Sequence, residues 1–151
     1  MRKLIILRGL PGSGKSHLAA QLIRSYEILR CSVRVCSADD FFLKDGIYTF
    51  EKEKLGLAHT KCRQLCEIHM NNGVDVILID NTNTQAREAK EYVRLATQYH
   101  YNIELMEPKT PWKTSLEELK NRNTHGVGEE TLQAMLARWE DEETFKRKLG
   151  L

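Results

Sequence analysis

The chain has 151 residues, of which 41% are hydrophobic and 29% are charged, and its formal net charge is +2. This length suits one domain, and the composition is that of a globular protein rather than a disordered one. The longest apolar run, residues 4–7, is far shorter than a membrane span, which needs about 20 residues. The start of the chain does not have the pattern of a signal peptide, so we expect an intracellular protein of the cytoplasm or nucleus.

Short apolar runs alternate with longer amphipathic stretches along the chain. The apolar runs predict strands at residues 4–7, 33–36, 74–79 and 103–106. Three- and four-residue spacing of apolar side chains predicts helices at residues 15–29, 50–72, 85–99, 113–121 and 129–148. This alternation favours right-handed βαβ units around a parallel sheet. We therefore predict a single α/β domain over residues 1–151.

The segment between the first strand and the first helix reads Gly-Leu-Pro-Gly-Ser-Gly-Lys-Ser, residues 9–16. This is the complete pattern of a phosphate-binding loop, or P-loop. Its glycines let successive backbone N–H groups surround an anion, and the following helix directs its positive end at the same phosphates. Lys15 can reach the β- and γ-phosphates, and the Ser16 hydroxyl can ligate Mg²⁺. The residues predicted to bind ATP here are Gly12, Ser13, Gly14, Lys15 and Ser16.

Two other nucleotide-binding classes do not fit this loop. A Rossmann dinucleotide site uses G-x-G-x-x-G without the Lys-Ser pair. The Asn-Lys-x-Asp motif of a guanine site does not occur in the sequence. A small kinase that uses ATP remains.

Basic residues are concentrated near the amino terminus. Residues 1–34 contain one acid, Glu27, against seven basic side chains, which are Arg2, Lys3, Arg8, Lys15, Arg24, Arg30 and Arg34. Such a segment can attract phosphates. A solvated helix surface would give the same pattern, and both interpretations stay open.

Acidic residues follow two of the predicted strands. Asp39 and Asp40 come after the second strand, and Asp80 directly follows the third. Ligands of open α/β sheets bind at the carboxyl ends of the strands, so these acids should face Lys15. We predict that Asp39 accepts the proton of an acceptor hydroxyl and that Asp80 holds Mg²⁺, directly or through water. A helix N-cap is the alternative for the Asp39-Asp40 pair and is favoured for Asp40, and a strand-end cap is the alternative for Asp80.

Aromatic residues flank the loop after this acidic pair. They could stack on the base of an acceptor or anchor the loop to the core, and both interpretations stay open. The residues are Phe41, Phe42, Tyr48 and Phe50.

The carboxy-terminal half places basic residues and glycines between two predicted helices. Residues 113–128 are predicted to form a helical lid over ATP, in which Arg122 contacts the phosphates and neutralises transition-state charge. A solvated helix end is the alternative for Arg122. Trp112 and Trp139 are expected to pack between helices rather than on a base.

Four cysteines, at positions 31, 36, 62 and 66, form no CxxC pair, so free thiols in a reducing compartment are expected. His59, Cys62, Cys66 and His69 share one helix side in a pattern that resembles a zinc site. However, ten residues at 1.5 Å rise separate the outer two by about 15 Å, too far for one tetrahedral ion. Buried or half-buried thiols are therefore predicted.

Nine short motifs occur in the order found in one group of P-loop proteins. They include residues 7–16, Ser37-Ala-Asp-Asp-Phe-Phe42, Ile79-Asp-Asn-Thr-Asn83 and Arg122-Asn-Thr-His-Gly-Val127. On these motifs the chain closely resembles the P-loop domain of Nedd-four-binding protein two and its short relatives, which is itself similar to P-loop polynucleotide 5′-hydroxyl kinases. The resemblance extends over nearly the whole chain.

The resemblance implies a three-layer P-loop NTPase sandwich with a helical lid. It also implies transfer of the ATP γ-phosphate to a 5′-hydroxyl end of DNA or RNA, with Asp39 as the general base and Arg122 as the lid arginine. Two positions depart from the group's pattern. His125-Gly126 stands where a second lid arginine is expected, and Cys62 stands where an asparagine is expected. A small-molecule kinase and an ATP-binding module without turnover remain as alternatives.

Overall fold

Parallel strands form the central sheet of the computed structural model, which describes residues 2–151. The strands are β1 (Lys3–Leu7), β2 (Val33–Cys36), β3 (Leu43–Lys44), β4 (Ile47–Tyr48), β5 (Val76–Asp80) and β6 (Asn102–Met106). The main sheet has the order β2-β5-β1-β6, and every neighbouring pair in it is parallel. Leu7 lies opposite Asp80 on one side and Met106 on the other, so three strands end at the same edge of the sheet.

Helices cover both surfaces of this sheet. They are α1 (Lys15–Ile28), α2 (Leu55–Asn71), α3 (Ala86–Tyr99), α4 (Leu116–Arg122), α5 (Glu129–Arg138) and α6 (Glu142–Leu149). Leu4 and Ile6 of β1 pack with α2, α3 and α6, whereas Ile5 and Leu7 pack with α1, because successive strand residues point to opposite sides. The predicted three-layer α/β sandwich is confirmed. Within residues 2–151, no helix has the length and apolar character needed to cross a membrane.

A third, smaller core joins the P-loop to the carboxy-terminal helices. It contains Leu10 of the P-loop, Leu119 of α4 and Leu132 of α5, all almost completely buried. Trp112 and Trp139 pack against this cluster, as the sequence predicts. The helices α4 and α5 are therefore attached to the P-loop through apolar contacts.

The helix predicted at residues 129–148 is wrong, because the structure has two helices there. The Asp141 carboxylate accepts a hydrogen bond of 2.8 Å from the backbone N–H of Thr144 and so caps the start of α6. Just before it, the Glu140 backbone N–H donates to the Thr84 carbonyl at 2.9 Å. A local cap and a long-range hydrogen bond together end one helix and begin the next.

The helix predicted from residue 50 begins instead at Leu55, and a two-stranded hairpin, β3 and β4, comes before it. Asp45 and Gly46 connect the two strands with φ angles of 52° and 78°, the left-handed values that a tight two-residue hairpin turn needs. The other predicted elements are present, with ends shifted by at most three residues.

The cysteines are free thiols, and their burial agrees with the prediction. Cys36, Cys62 and Cys66 are buried, and Cys31 is half-buried. The Asn81 amide nitrogen lies 3.7 Å from the Cys62 sulfur, so Cys62 faces the core between α2 and the end of β5. For residues 2–151, the structure shows no group of three His, Cys, Asp or Glu side chains that could hold a metal ion.

Candidate functional site

The P-loop connects the carboxyl end of β1 to the first turn of α1. Gly12 and Gly14 have φ angles of 87° and 102°, a region that residues with a Cβ rarely adopt. A Cβ on Gly9 would stand 2.7 Å from the Ser13 hydroxyl, so the loop closes tightly on itself. The glycines of the motif are required here by backbone geometry and close approach.

The Ser13 hydroxyl is buried within this loop and has no hydrogen-bond partner. A buried polar group without a partner is costly unless a ligand or water satisfies it. The Ser13 carbonyl is already used, since it accepts a 2.7 Å hydrogen bond from the Thr110 hydroxyl. An oxyanion such as a phosphate fits both the free hydroxyl and the loop of backbone amides around it.

Lys15 lies next to Asp80 across the adjoining strand ends. Its ammonium nitrogen is 2.5 Å from the Asp80 Oδ1, and the two side chains are 16% and 21% exposed. The parallel pairing of β1 with β5 creates this contact, because it places Leu7 level with Asp80. Mg²⁺ in nucleotide sites usually takes one or two carboxylates together with phosphates. Asp80, at the end of β5, is a carboxylate of this kind, and Ser16 lies in the first turn of α1, where a P-loop hydroxyl can ligate Mg²⁺.

Asp39 and Asp40 lie in the 3₁₀ turn Ala38–Phe42, directly after β2. The cap of this turn is Ser37, whose hydroxyl accepts a 3.3 Å hydrogen bond from the Asp39 backbone N–H. The N-cap alternative for the acidic pair is therefore wrong. Phe42 is the core anchor of the turn, since it is 4% exposed, whereas Asp39 and Asp40 are both exposed residues.

The acids of the two strand ends influence one another. Burial, and after it the charges of Asp39 and Asp80, raise the pKa of Asp40. Asp39 also accepts a 3.4 Å hydrogen bond from the Tyr48 hydroxyl. Of the acidic residues expected to face Lys15, Asp80 contacts it directly.

Two asparagines connect the turn that carries Asp39 and the ends of β1 and β5. The sequence analysis does not name either of them as a site residue. The Asn81 side-chain oxygen Oδ1 accepts a 2.9 Å hydrogen bond from the Ala38 backbone N–H, which fixes the turn that carries Asp39 to the end of β5. The Asn83 amide donates to the Leu7 carbonyl at 2.7 Å. Both lie in the Asn-Thr-Asn segment that directly follows Asp80. A run of polar residues immediately after an apolar strand is therefore the feature of the sequence that points to them.

Arg122 lies at the end of α4, above the P-loop. Its guanidinium carbon is 3.6 Å from the centre of the Trp112 ring, and its Nε donates to the Glu118 carboxylate at 2.9 Å. Trp112 in turn donates its indole N–H to the Gly12 carbonyl at 3.1 Å. A Cβ on Gly12 would stand 2.6 Å from the Leu119 carbonyl. The predicted lid arginine is therefore linked through Trp112 to the backbone that surrounds the phosphate site.

The loop after Arg122 is shaped by Asn123. The side-chain nitrogen Nδ2 of Asn123 donates to the Val127 carbonyl at 2.7 Å, and its side-chain oxygen Oδ1 accepts from the His125 backbone N–H at 2.9 Å. His125 itself is exposed. The position at which the resemblance leads one to expect a second lid arginine thus lies on a solvent-exposed loop.

Arg8 does not belong to a phosphate-attracting surface, although the charge pattern allowed that interpretation. It is fully buried and forms an ion pair with Glu107 at 3.0 Å. It also donates to three backbone carbonyls, and its guanidinium carbon lies 4.2 Å from the Trp139 ring centre and 3.8 Å from that of Phe145. The three carbonyls belong to Asn83, Thr84 and Glu140. Arg8 therefore holds together the segments that lie beneath the site, and it does not form part of an exposed basic surface.

Comparison with known proteins agrees with this geometry. The model of the AAA domain family matches residues 4–141. Human NEDD4-binding protein 2 is 40% identical over 137 residues, which are 91% of this chain and 8% of that protein. A chain of the Pnkp1/Rnl/Hen1 RNA repair complex superposes with a TM-score of 0.69 at 22% identity, covering 97% of this chain and 46% of that one. The Mycobacterium tuberculosis APS kinase CysC, in complex with AMPPNP and APS, superposes with a TM-score of 0.59 at 17% identity, covering 83% and 70%.

The sequence relative and the two solved structures support different conclusions. The identity to NEDD4-binding protein 2 confirms the resemblance seen in the motifs, although this chain spans less than a tenth of that protein. The two solved structures are below 25% identical and show the fold. The complete P-loop with its unsatisfied Ser13 hydroxyl, together with the family match over residues 4–141, makes this a nucleotide-binding P-loop domain. With residues 4–141 matching its family model, the chain belongs to the AAA domain family.

Proposed function

We propose that this chain is an ATP-dependent kinase that transfers the γ-phosphate to the 5′-hydroxyl end of DNA or RNA. The observation that carries the proposal is the contact of Lys15 with Asp80 at the P-loop, together with the hydrogen bond from Ala38 to Asn81 that fixes the turn carrying Asp39 to the end of the same strand. The P-loop with Lys15 supplies the phosphate-binding part of this site, and Asp39 supplies a carboxylate for the acceptor. Phosphoryl transfer needs a cation over the phosphates and a group that accepts the acceptor's proton.

Each residue then has a defined task. The amides of residues 12–14 and the Lys15 ammonium bind and orient the phosphates, and Arg122 approaches them from the lid. Mg²⁺ would be held by Ser16 and Asp80 and would neutralise charge on the β- and γ-phosphates. Asp39 accepts the proton from the acceptor hydroxyl as that oxygen attacks.

The polynucleotide acceptor is supported by the resemblance to 5′-hydroxyl kinases and by the likeness to a chain from an RNA repair complex. A small, uncharged acceptor is the second candidate, because one observation favours it. Residues 39–54, which surround the proposed base, carry five acids and three lysines. Such a surface does not attract a polyanion.

A panel of acceptors separates the two candidates. We expect radiolabelled product from γ-labelled ATP with 5′-hydroxyl DNA or RNA oligonucleotides, and none with the same oligonucleotides carrying a 5′-phosphate. The KM for the oligonucleotide should rise with salt concentration, since phosphate contacts release counterions. Product with nucleosides or sugars only, at a KM that salt does not change, would contradict the polynucleotide proposal.

A further inference from the structure

The hairpin formed by β3 and β4 is a well-defined structure beside the acceptor side of the site. Leu43 pairs with Tyr48, and Lys44 with Ile47. The Thr49 backbone N–H donates to the Phe42 carbonyl at 3.0 Å, which closes the hairpin at its open end. The segment therefore holds a fixed shape as it leaves the turn that carries Asp39.

One surface of this hairpin is apolar and exposed. Its members, here called the hairpin surface, are Leu43, Tyr48 and Phe50, which are 49%, 44% and 50% exposed. Phe42 lies beneath it, with ring centres 6.3 Å from Tyr48 and 5.1 Å from Phe50, both in edge-on contact. Exposed aromatic rings held in place by a buried ring are a prepared contact surface for an apolar or planar group.

The hairpin surface begins at the proposed general base. The Tyr48 hydroxyl donates to the Asp39 carboxylate at 3.4 Å. Burial and the charge of Asp39 raise the pKa of Tyr48, so the phenol stays protonated and keeps this hydrogen bond. An acceptor whose hydroxyl reaches Asp39 thus has its next group beside the Tyr48 ring.

The charges around the hairpin limit what that group can be. Five acids and three lysines occur in residues 39–54, and one of the lysines, Lys54, is paired with Glu51 at 2.9 Å. A phosphodiester would meet net negative charge here. A neutral, planar group meets aromatic rings instead.

We propose that the hairpin surface binds the nucleobase of the acceptor's 5′-terminal nucleotide by stacking on Tyr48 and Phe50. This rests on the proposed function, because it assigns the acceptor subsite of that same reaction. Stacking on aromatic side chains tolerates every base, since each has a π surface. The surface therefore selects an acceptor end that carries a base, without selecting which base.

The test measures binding and transfer with two matched acceptors. Both are single-stranded DNA oligonucleotides of one sequence with a 5′-hydroxyl and a 3′ fluorophore, and one of them has an abasic 5′-terminal residue. Their Kd values are measured by fluorescence anisotropy. We expect the wild-type protein to bind the base-bearing end about 5- to 150-fold more tightly. This ratio should not change with salt, because the two oligonucleotides differ in stacking and not in phosphate contacts.

Four variants locate the effect. Phe50→Leu and Tyr48→Leu keep apolar bulk but remove a ring, so both should lose most of the preference for the base-bearing end. Tyr48→Phe keeps the ring and should retain the preference. Ile28→Ala, which changes an apolar residue that is 73% exposed on another part of the molecule, should retain it as well. Thermal denaturation confirms that each variant is folded, and the comparison of acceptors with wild-type protein needs no variant.

The outcomes separate this proposal from the proposed function. Equal Kd values for the two ends with wild-type protein, or a preference that survives in both leucine variants, would overturn the hairpin proposal. If the wild type transfers phosphate to both ends with the same KM, the kinase stands and the hairpin proposal fails. A preference for the base-bearing end without any transfer supports the hairpin proposal and overturns the kinase.

Discussion

Asp39→Asn is expected to reduce the rate of phosphoryl transfer by about 10²- to 10⁴-fold at saturating ATP. Asparagine keeps the size of the side chain and can still accept the 3.4 Å hydrogen bond from the Tyr48 hydroxyl, but it cannot take up the proton of the acceptor. The affinity for ATP should stay close to that of the wild type, because Asp39 is assigned to the acceptor and has no proposed contact with the phosphates of ATP. Steady-state transfer rates and a separate nucleotide-binding isotherm check both expectations.

Asp40→Asn is the matched control for this variant. The two carboxylates are neighbours in one 3₁₀ turn, and each substitution removes one negative charge from the same region. We expect Asp40→Asn to retain most of the transfer rate, since its carboxylate has a raised pKa and no proposed catalytic task. Equal losses in the two variants would mean that local charge matters and that Asp39 is not the base.

Arg8→Met is expected to lower the free energy of unfolding by about 3–5 kcal/mol. The guanidinium is fully buried, with an ion pair to Glu107 and hydrogen bonds to the backbone at both Thr84 and Glu140. Burial lowers the pKa of Arg8, yet a guanidinium remains charged inside proteins. Methionine fills much of the space but leaves the Glu107 carboxylate buried, 8% exposed, with Lys113 as its remaining partner at 3.3 Å.

Urea denaturation monitored by circular dichroism measures this loss. Arg94→Met is the control, because Arg94 forms an exposed ion pair with Glu91, and such pairs contribute about 0–1 kcal/mol. A decrease of less than about 1 kcal/mol for Arg8→Met would show that Arg8 is not a principal support of the site.

Much of the fold could be predicted because its signals are periodic and local. The apolar run that ends in Asp80 predicts a buried parallel strand, and the P-loop must lie between a strand and a helix. From these two facts it follows that the acids after β2 and β5 approach Lys15, since parallel strands end at the same edge of the sheet. The contact between Lys15 and Asp80 is the direct result of that register.

The role of Arg8 could not be predicted, because its hydrogen-bond partners lie between 75 and 132 residues away in the sequence. A count of charges does not distinguish a buried guanidinium from an exposed one. The link from Arg122 through Trp112 to Gly12 is likewise a tertiary contact, and no spacing in the sequence encodes it.

Two differences between the prediction and the structure have local signals in the sequence. Asp45-Gly46 between apolar residues is a strong hairpin signal, although the helical spacing that begins at residue 50 favours a helix next to it. Asp141 followed by two glutamates, with three basic residues from Lys146 on, has the charge pattern of a new helix. Both predictions treat an apolar periodicity as continuous across a turn or a cap.

The most direct test of the account is phosphoryl transfer from γ-labelled ATP to a 5′-hydroxyl oligonucleotide, measured beside ATP binding for the wild type and Lys15→Ala. We expect labelled product and ATP binding with the wild type, and a loss of at least about 10²-fold in transfer with Lys15→Ala, because the ammonium next to Asp80 is the main side-chain cation at the P-loop. Lys146→Ala, which removes an exposed lysine of α6 paired with Glu142, should behave as the wild type. ATP binding that Lys15→Ala abolishes, without product from the wild type, would contradict the kinase and leave a nucleotide-binding module.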